Sequence, residues 1–196
     1  MTKVFGIGFH KTGTKTLKQA LTILGYKVSG PNLELVDELS QNKYDAAFEL
    51  VNRFDAFQDN PWPLLYKTLD ENFEGSKFIL TRRDDEKWIK SVVNYFEYRV
   101  TDMREWIYGV GHPKGNEDIY LKTYQQHNEK VIEYFKQRPN DLLVLDFSKG
   151  DGWETICQFL NRDIPLQPFP HANKGNYSKW KNWKRGYKKY IGIYKK

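Results

Sequence analysis

Residues 4–16 read VFGIGFHKTGTKT, and this stretch decides the fold. Its first part, Val4 to Gly8, is a short apolar run typical of a buried strand. After Thr14 the apolar residues recur at helical spacing until Gly25 closes the helix. The stretch therefore predicts a strand, a loop and a helix, and backbone N–H groups at such a helix start favour a bound anion.

Strand and helix patterns alternate along the rest of the chain. Apolar runs predict strands at Tyr44–Leu50, Lys77–Thr81 and Leu142–Leu145. Helical patterns cover Pro63–Asn72, the segment capped by Asp84, Asp118–Gln137 and Trp153–Leu160. This alternation predicts an α/β fold, a three-layer domain with a mainly parallel central sheet flanked by helices, whose ligands bind at the carboxyl ends of the strands.

Length and composition are those of one folded domain. The chain has 196 residues, 39% of them hydrophobic, and Cys157 is its single cysteine. An intrachain disulfide and a Cys-rich metal site are thereby excluded. No apolar run approaches the ~18 residues of a membrane span, and no signal-peptide pattern precedes the first strand. We expect a cytoplasmic protein with no membrane partner.

The positive charge is concentrated at the carboxyl end. The net charge is +6, yet residues 171–196 hold nine Lys or Arg and no acidic residue. Such a segment is either a patch for polyanions, as in nucleic-acid binders, or an ordinary solvated surface. Anionic partners deserve consideration in both cases, and a doubly phosphorylated nucleotide is one of them.

The loop departs from the pattern of nucleotide triphosphatases. That pattern, G-x-x-x-x-G-K-S/T, needs a lysine directly after its second glycine, where this chain has Thr14. The lysines are Lys11, inside the loop, and Lys15. A lysine inside the loop resembles PAPS-dependent sulfotransferases (PAPS, 3′-phosphoadenosine 5′-phosphosulfate), whose loop reads Pro-Lys-Ser/Thr-Gly-Thr-Thr/Ser. His10 replaces the proline, and Lys15-Thr16 stands where many cytosolic members have Thr-Trp, so the aromatic partner of adenine is missing there.

Two further blocks carry the same resemblance. Arg83 and Ser91 lie eight residues apart after the Lys77–Thr81 strand, the spacing with which the family binds the donor's 3′-phosphate. Arg82 is the alternative contact. Residues 173–182, NKGNYSKWKN, resemble the family signature R-K-G-x-x-G-D-W-K-N, although its arginine, second glycine and aspartate are replaced. Less specifically, residues 152–160 and 168–173 are similar to small sulfotransferase-like proteins.

The resemblance implies a set of site residues. Lys11 would stabilise charge on the bridging oxygen, and Asp59, 24 positions before Arg83, would be the base that takes the acceptor proton. Asp55, Glu49 and His10 are the alternatives for the base, and Asp59 itself has the alternative of a turn-forming role. The donor would be bound by the loop, the strand-end pair and the tail: His10, Lys11, Thr12, Gly13, Thr14, Lys15, Thr16, Arg83, Ser91, Lys174 and Gly175.

The resemblance implies a single sulfotransferase domain over residues 1–196, in which the basic, aromatic segment 171–196 partly folds over the nucleotide. It implies PAPS as donor, PAP (adenosine 3′,5′-bisphosphate) as product, no metal, and transfer to a hydroxyl or amine of a small-molecule or carbohydrate acceptor. Nucleic acid is not the expected partner. Two other readings stay open: a P-loop kinase using ATP on a small molecule, and a non-catalytic polyanion-binding protein.

Overall fold

A computed structural model describes residues 2–172, and its centre is a five-stranded parallel sheet. The strands are β1 (Val4–Gly6), β2 (Val28–Ser29), β3 (Ala56–Phe57), β4 (Lys77–Thr81) and β5 (Leu142–Leu145), in the order β2-β3-β1-β4-β5. β1 is fully buried because it pairs with β3 on one side and β4 on the other. The carboxyl ends of all strands therefore meet at one edge.

Eight α-helices connect and cover these strands within the described residues. They are α1 (Thr14–Ile23), α2 (Val36–Leu39), α3 (Asp45–Arg53), α4 (Tyr66–Asn72), α5 (Asp85–Phe96), α6 (Asp102–Tyr108), α7 (Glu117–Tyr134) and α8 (Trp153–Leu160). Short 3₁₀ turns occupy Leu33–Leu35, Trp62–Leu65 and Phe147–Lys149. None of the helices between residues 2 and 172 has the length and apolar character needed to cross a membrane.

Each face of the sheet carries its own apolar core. On one face, α1 and α8 pack Leu17 and Ile156 against Ile79 of β4. On the other, Val131 of α7 lies in a cluster with Phe78 of β4, together with residues of α3 and α4. Neighbouring β4 residues thus point into opposite cores, as strand geometry requires. The two cores make three layers and confirm the predicted α/β class.

Most predicted elements are confirmed, and one is wrong. β4, β5 and α8 have the predicted limits, and α7 covers most of its predicted range. The predicted strand at Tyr44–Leu50 is instead helix α3, in which Ala47 and Val51 are buried one turn apart. Asp45 in its first turn and Arg53 in its last also suit the helix dipole. The sheet uses β2 and β3 in its place, each only two residues long.

Candidate active site

A large cleft opens at the carboxyl edge of the sheet. Its volume is about 1590 Å³, and it is bounded by the loop after β1, the residues after β3 and β4, one side of α5, and residues 146–148 after β5. Of the predicted site residues, those lining it are His10, Lys11, Thr12, Gly13, Thr14, Lys15, Thr16, Asp59, Arg83 and Ser91. Folding thus brings together three blocks that are far apart in sequence.

The loop after β1 is pressed tightly against β4. A Cβ atom at Gly8 would lie 2.1 Å from Thr81 Oγ1 and 2.3 Å from the Thr81 carbonyl oxygen, so only glycine fits. Thr12 Oγ1 lies 2.6 Å from both the Phe9 carbonyl oxygen and Thr81 Oγ1. The Thr12 hydroxyl therefore makes hydrogen bonds inside the protein. Only the backbone of Thr12 is available to a ligand in the cleft.

The start of α1 is open to an anion. Gly13 precedes the helix with φ 107°, and a Cβ atom there would lie 2.5 Å from the ring of Phe147. Among the described residues no side chain caps this helix, and its first turn contains no acidic residue. The first N–H groups of a helix need an acceptor, and the dipole favours a negative one. The local structure fits a phosphate or sulfate group.

Lys11 lies beside that helix start in an unusual backbone conformation. Its φ is 68°, the left-handed region that non-glycine residues seldom adopt. Its Nζ lies 3.9 Å from the centre of the Tyr95 ring. Burial lowers the pKa of Lys11 to about 8, aided by the charges of Lys15 and Arg83 and opposed by Tyr95 and Asp59. Burial therefore makes the Lys11 ammonium a stronger acid than an exposed lysine.

Asp59 follows β3 and turns its carboxylate towards the loop. Its Oδ2 accepts a hydrogen bond from Thr14 Oγ1 at 2.7 Å, and its Oδ1 accepts one from the Asn60 backbone N–H at 2.8 Å. Burial raises the pKa of Asp59, while these hydrogen bonds and the charges of Lys11 and Lys15 act in the opposite direction. A carboxylate whose pKa is raised is a stronger base than an exposed one.

His10 is a buried link in the wall of the cleft. Its Nδ1 lies 3.1 Å from the Asn60 side-chain nitrogen and its Nε2 lies 3.2 Å from the Tyr108 hydroxyl. The side-chain NH₂ group of Asn60 can only donate, so His10 accepts at Nδ1 and carries its proton at Nε2. Burial lowers the pKa of His10 to about 3, helped by Arg104 and Lys11. His10 is thus neutral, with both ring nitrogens engaged.

The positive side chains far outnumber the negative ones around this cleft. Two aspartates line it, Asp59 and Asp146, against eight basic residues: Lys11, Lys15, Lys18, Arg82, Arg83, Lys87, Lys90 and Arg104. Such a cleft favours a ligand with several negative charges. Within residues 2–172 no group of three or more His, Cys, Asp or Glu is arranged to hold a metal ion.

Comparison with known proteins identifies the family. The profile of the family described as "Sulfotransferase domain" matches residues 3–113 and 94–177, most of the chain. The chain belongs to the sulfotransferase family. It is also similar to "Ava biosynthesis cluster protein M" of Aspergillus versicolor, with 25% identity over 232 residues that cover 93% of this chain and 87% of that protein.

The backbone of Arg83 is anchored by Tyr124 of α7. The Tyr124 hydroxyl lies 2.9 Å from both the backbone nitrogen and the carbonyl oxygen of Arg83, which fixes the chain just after β4. The Arg83 guanidinium reaches the Lys11 carbonyl oxygen at 3.5 Å. Arg82 and Ser91 line the same cleft, so the choice between the two arginines stays open. Lys174 and Gly175 lie outside the described residues.

The other predicted bases of the sulfotransferase lie in different places. Glu49 is exposed on α3, a helix where a strand end was expected. Asp55 lies at the amino end of β3, away from the cleft edge, and accepts a hydrogen bond from the Lys27 backbone N–H at 3.0 Å. His10 is buried as described above. Asp59 is therefore the acidic residue after β3 that shares the cleft with Lys11.

Three aromatic residues also contact the predicted site residues. Tyr95 packs on Lys11, Phe147 on Gly13, and Tyr108 on His10. From the sequence, Tyr95 and Tyr108 fit a lining of the acceptor pocket as well as plain core packing, and Phe147 has no assigned role. Helical spacing places Tyr95 one turn after Ser91 on α5, which is a signal for Tyr95 alone.

Proposed function

We propose that this sulfotransferase transfers a sulfuryl group from PAPS to a hydroxyl or amine of a small-molecule or carbohydrate acceptor, by in-line displacement without a metal. The observation that carries the proposal is the meeting of Lys11 and Asp59 in one cleft. One is an acid whose pKa is lowered and the other a base whose pKa is raised, and both lie beside an uncapped helix start. This pairing suits a reaction in which the acceptor loses a proton and negative charge develops on the leaving group.

The loop and α1 would bind the phosphosulfate end of the donor. The N–H groups at the start of α1 would hold the 5′-phosphosulfate, and Lys15 would add charge at the same end. Arg83, with its planar guanidinium, and Ser91 would hold the 3′-phosphate. The surplus of basic residues in the cleft supports a ligand of this charge.

Lys11 would stabilise the leaving group. In the transfer, the acceptor oxygen or nitrogen forms a bond to sulfur while the bond from sulfur to the bridging phosphate oxygen breaks. Negative charge develops on that oxygen, and a nearby ammonium lowers the barrier most where the charge appears. Because the pKa of Lys11 is about 8, the ammonium can also pass its proton to the oxygen.

Asp59 would receive the proton that the acceptor loses. Its Oδ2 accepts a hydrogen bond from Thr14, the first residue of α1, and this contact would hold the base beside the sulfuryl group of a bound donor. Positioning of this kind contributes much of the rate enhancement in group transfer. The raised pKa of Asp59 brings it closer to the working pH of a general base.

Positive side chains in the cleft support a metal-independent reaction. Phosphoryl transfer from ATP relies on Mg²⁺ bound to the phosphates and on a lysine directly after the second loop glycine. Here that position is Thr14, whose hydroxyl donates to Asp59.

Calorimetric titration with two nucleotides tests the donor. We expect adenosine 3′,5′-bisphosphate to bind tightly in the presence of EDTA and Mg-ATP to bind at least about tenfold more weakly. Tight binding of Mg-ATP without affinity for the bisphosphate would favour the kinase reading. If neither nucleotide bound while a nucleic acid did, the polyanion-binding reading would be favoured.

A further inference from the structure

The Lys11 ammonium contacts α5 in the free protein. Its Nζ lies 3.9 Å from the centre of the Tyr95 ring, close enough for a strong cation–π contact. Lys11 reaches the ring from a left-handed backbone position, φ 68°. A conformation of this kind persists only where surrounding contacts hold it.

The loop is also held to α5 by its backbone. The Trp88 indole N–H donates to the His10 carbonyl oxygen at 2.9 Å, and the Arg83 guanidinium reaches the Lys11 carbonyl oxygen at 3.5 Å. Trp88 is fully buried and stacks on Tyr124 of α7, with 4.1 Å between ring centres. The loop backbone thus has a rigid support, so the direction of the Lys11 side chain is the variable that remains.

Tyr95 is accessible from the cleft. It is 37% exposed, lines the cleft, and lies one turn after Ser91 on α5. The Arg99 guanidinium carbon also lies 5.2 Å from the same ring. The groups around Lys11 include Tyr95, the cations Lys15 and Arg83, and the carboxylate of Asp59.

We infer that Tyr95 is a positioning residue, whose ring holds the Lys11 ammonium in the donor-free protein and releases it when a donor binds. The inference rests on the proposed function insofar as the receiving group is the donor's bridging oxygen. The ring face stabilises the charged form of Lys11, which opposes the effect of burial. Because the Tyr95 ring and the donor compete for the Lys11 ammonium, the cation–π contact lowers the affinity for the donor. In the donor-free protein the same contact keeps the Lys11 side chain in place.

Nuclear magnetic resonance of protein labelled at the lysine ε-carbon tests the contact without any assay of activity. The Lys11 signal is assigned by its loss in Lys11→Arg. In the free full-length protein we expect its ε-protons to be shifted upfield by the Tyr95 ring current. Tyr95→Leu should abolish that shift and lower the pKa of Lys11 by about 0.5 pH unit, because the ring favours the charged form.

Two variants separate the ring from its surroundings. Tyr95→Phe keeps the aromatic face and should behave as the wild type. Tyr98→Leu is a matched control on the same segment. Tyr98 is 62% exposed, and Lys114 Nζ lies 4.8 Å from the centre of its ring. A wild-type signal without a ring-current shift would overturn the contact. A Tyr95→Phe variant resembling Tyr95→Leu would overturn the role of the ring.

Addition of adenosine 3′,5′-bisphosphate tests the release. We expect the ring-current shift to disappear on saturation and the bisphosphate to bind Tyr95→Leu roughly two- to fivefold more tightly than the wild type. Weaker binding by Tyr95→Leu, or a shift that persists in the complex, would overturn the release. If the bisphosphate did not bind the wild type at all, the proposed donor and the release would both fail, and the free-protein spectrum would still decide the contact.

Discussion

The hydroxyl of Thr14 donates a hydrogen bond of 2.7 Å to Oδ2 of Asp59. The two residues belong to different parts of the chain, one at the first position of α1 and the other two residues after β3. Thr14 thereby connects the helix start that would bind an anion with the carboxylate that would accept a proton. This hydrogen bond links the proposed base to the proposed donor site.

The first prediction concerns this contact. Thr14→Val has nearly the same shape but lacks the hydroxyl, so Asp59 loses one hydrogen bond that stabilises its charged form. We expect the pKa of Asp59 to rise, moving the acid limb of the pH–rate profile upwards by about 1 pH unit. Thr14→Ser is the matched control and should keep the wild-type profile. An unchanged acid limb in Thr14→Val would show that Asp59 is not the base.

The second prediction separates the two arginines after β4. Adenosine 3′,5′-bisphosphate and adenosine 5′-monophosphate differ by the 3′-phosphate alone, so their ratio of dissociation constants isolates its contribution. The dissociation constant of the monophosphate divided by that of the bisphosphate measures this contribution. We expect Arg83→Gln to reduce that quotient at least about tenfold, because a charge-assisted, bidentate contact to the 3′-phosphate would be lost. Arg82→Gln is the control. A larger reduction in Arg82→Gln than in Arg83→Gln would assign the contact to Arg82 instead.

The third prediction concerns the pH dependence of turnover. Protonated Lys11 and ionised Asp59 are both required, so kcat/KM for the donor should fall above about pH 8 and below the raised pKa of Asp59. His10 should add no limb near pH 6.5, because its pKa is lowered to about 3. A limb near pH 6.5 that disappears in His10→Asn would contradict the buried, neutral state of this histidine.

The fourth prediction concerns the turn before α1. Gly13→Ala places a methyl group 2.5 Å from the Phe147 ring in a left-handed conformation. We expect the free energy of unfolding, measured in urea, to fall by about 2–4 kcal/mol. In Gly13→Ala with Phe147→Ala, the loss should be smaller than the sum of the single losses by about 1 kcal/mol, since only the steric part is relieved. Strict additivity would show that the ring does not restrict this position.

The sequence predicted the α/β class because most of its elements carry a strong local pattern. β4, β5 and α8 are long enough for apolar period and turn residues to mark their limits. β2 and β3 have two residues each, and pairing with neighbouring strands decides them more than local sequence does. The prediction of a strand at Tyr44–Leu50 is wrong because the apolar residues Ala47, Phe48 and Leu50 do not by themselves show a helical period. That period becomes clear only when Val51, one turn after Ala47, is included.

The site could be predicted as far as its residues share a motif. The loop is predicted because Gly, Thr and Lys residues stand between a strand and a helix, and Arg83 and Ser91 are predicted because they have the spacing of the sulfotransferase family. The internal use of the Thr12 and Thr14 hydroxyls, the burial of His10 and the ring beneath Lys11 depend on side-chain packing between distant segments. No spacing along the chain encodes those contacts.

The most direct test of the account is transfer of labelled sulfate from PAPS to a panel of hydroxylated and amine acceptors in the presence of EDTA, comparing wild type with Lys11→Ala. We expect transfer by the wild type and a loss of at least about a hundredfold in kcat for Lys11→Ala, with the circular dichroism spectrum preserved. Transfer by Lys11→Ala at the wild-type rate, or wild-type transfer that requires a divalent metal, would contradict the account.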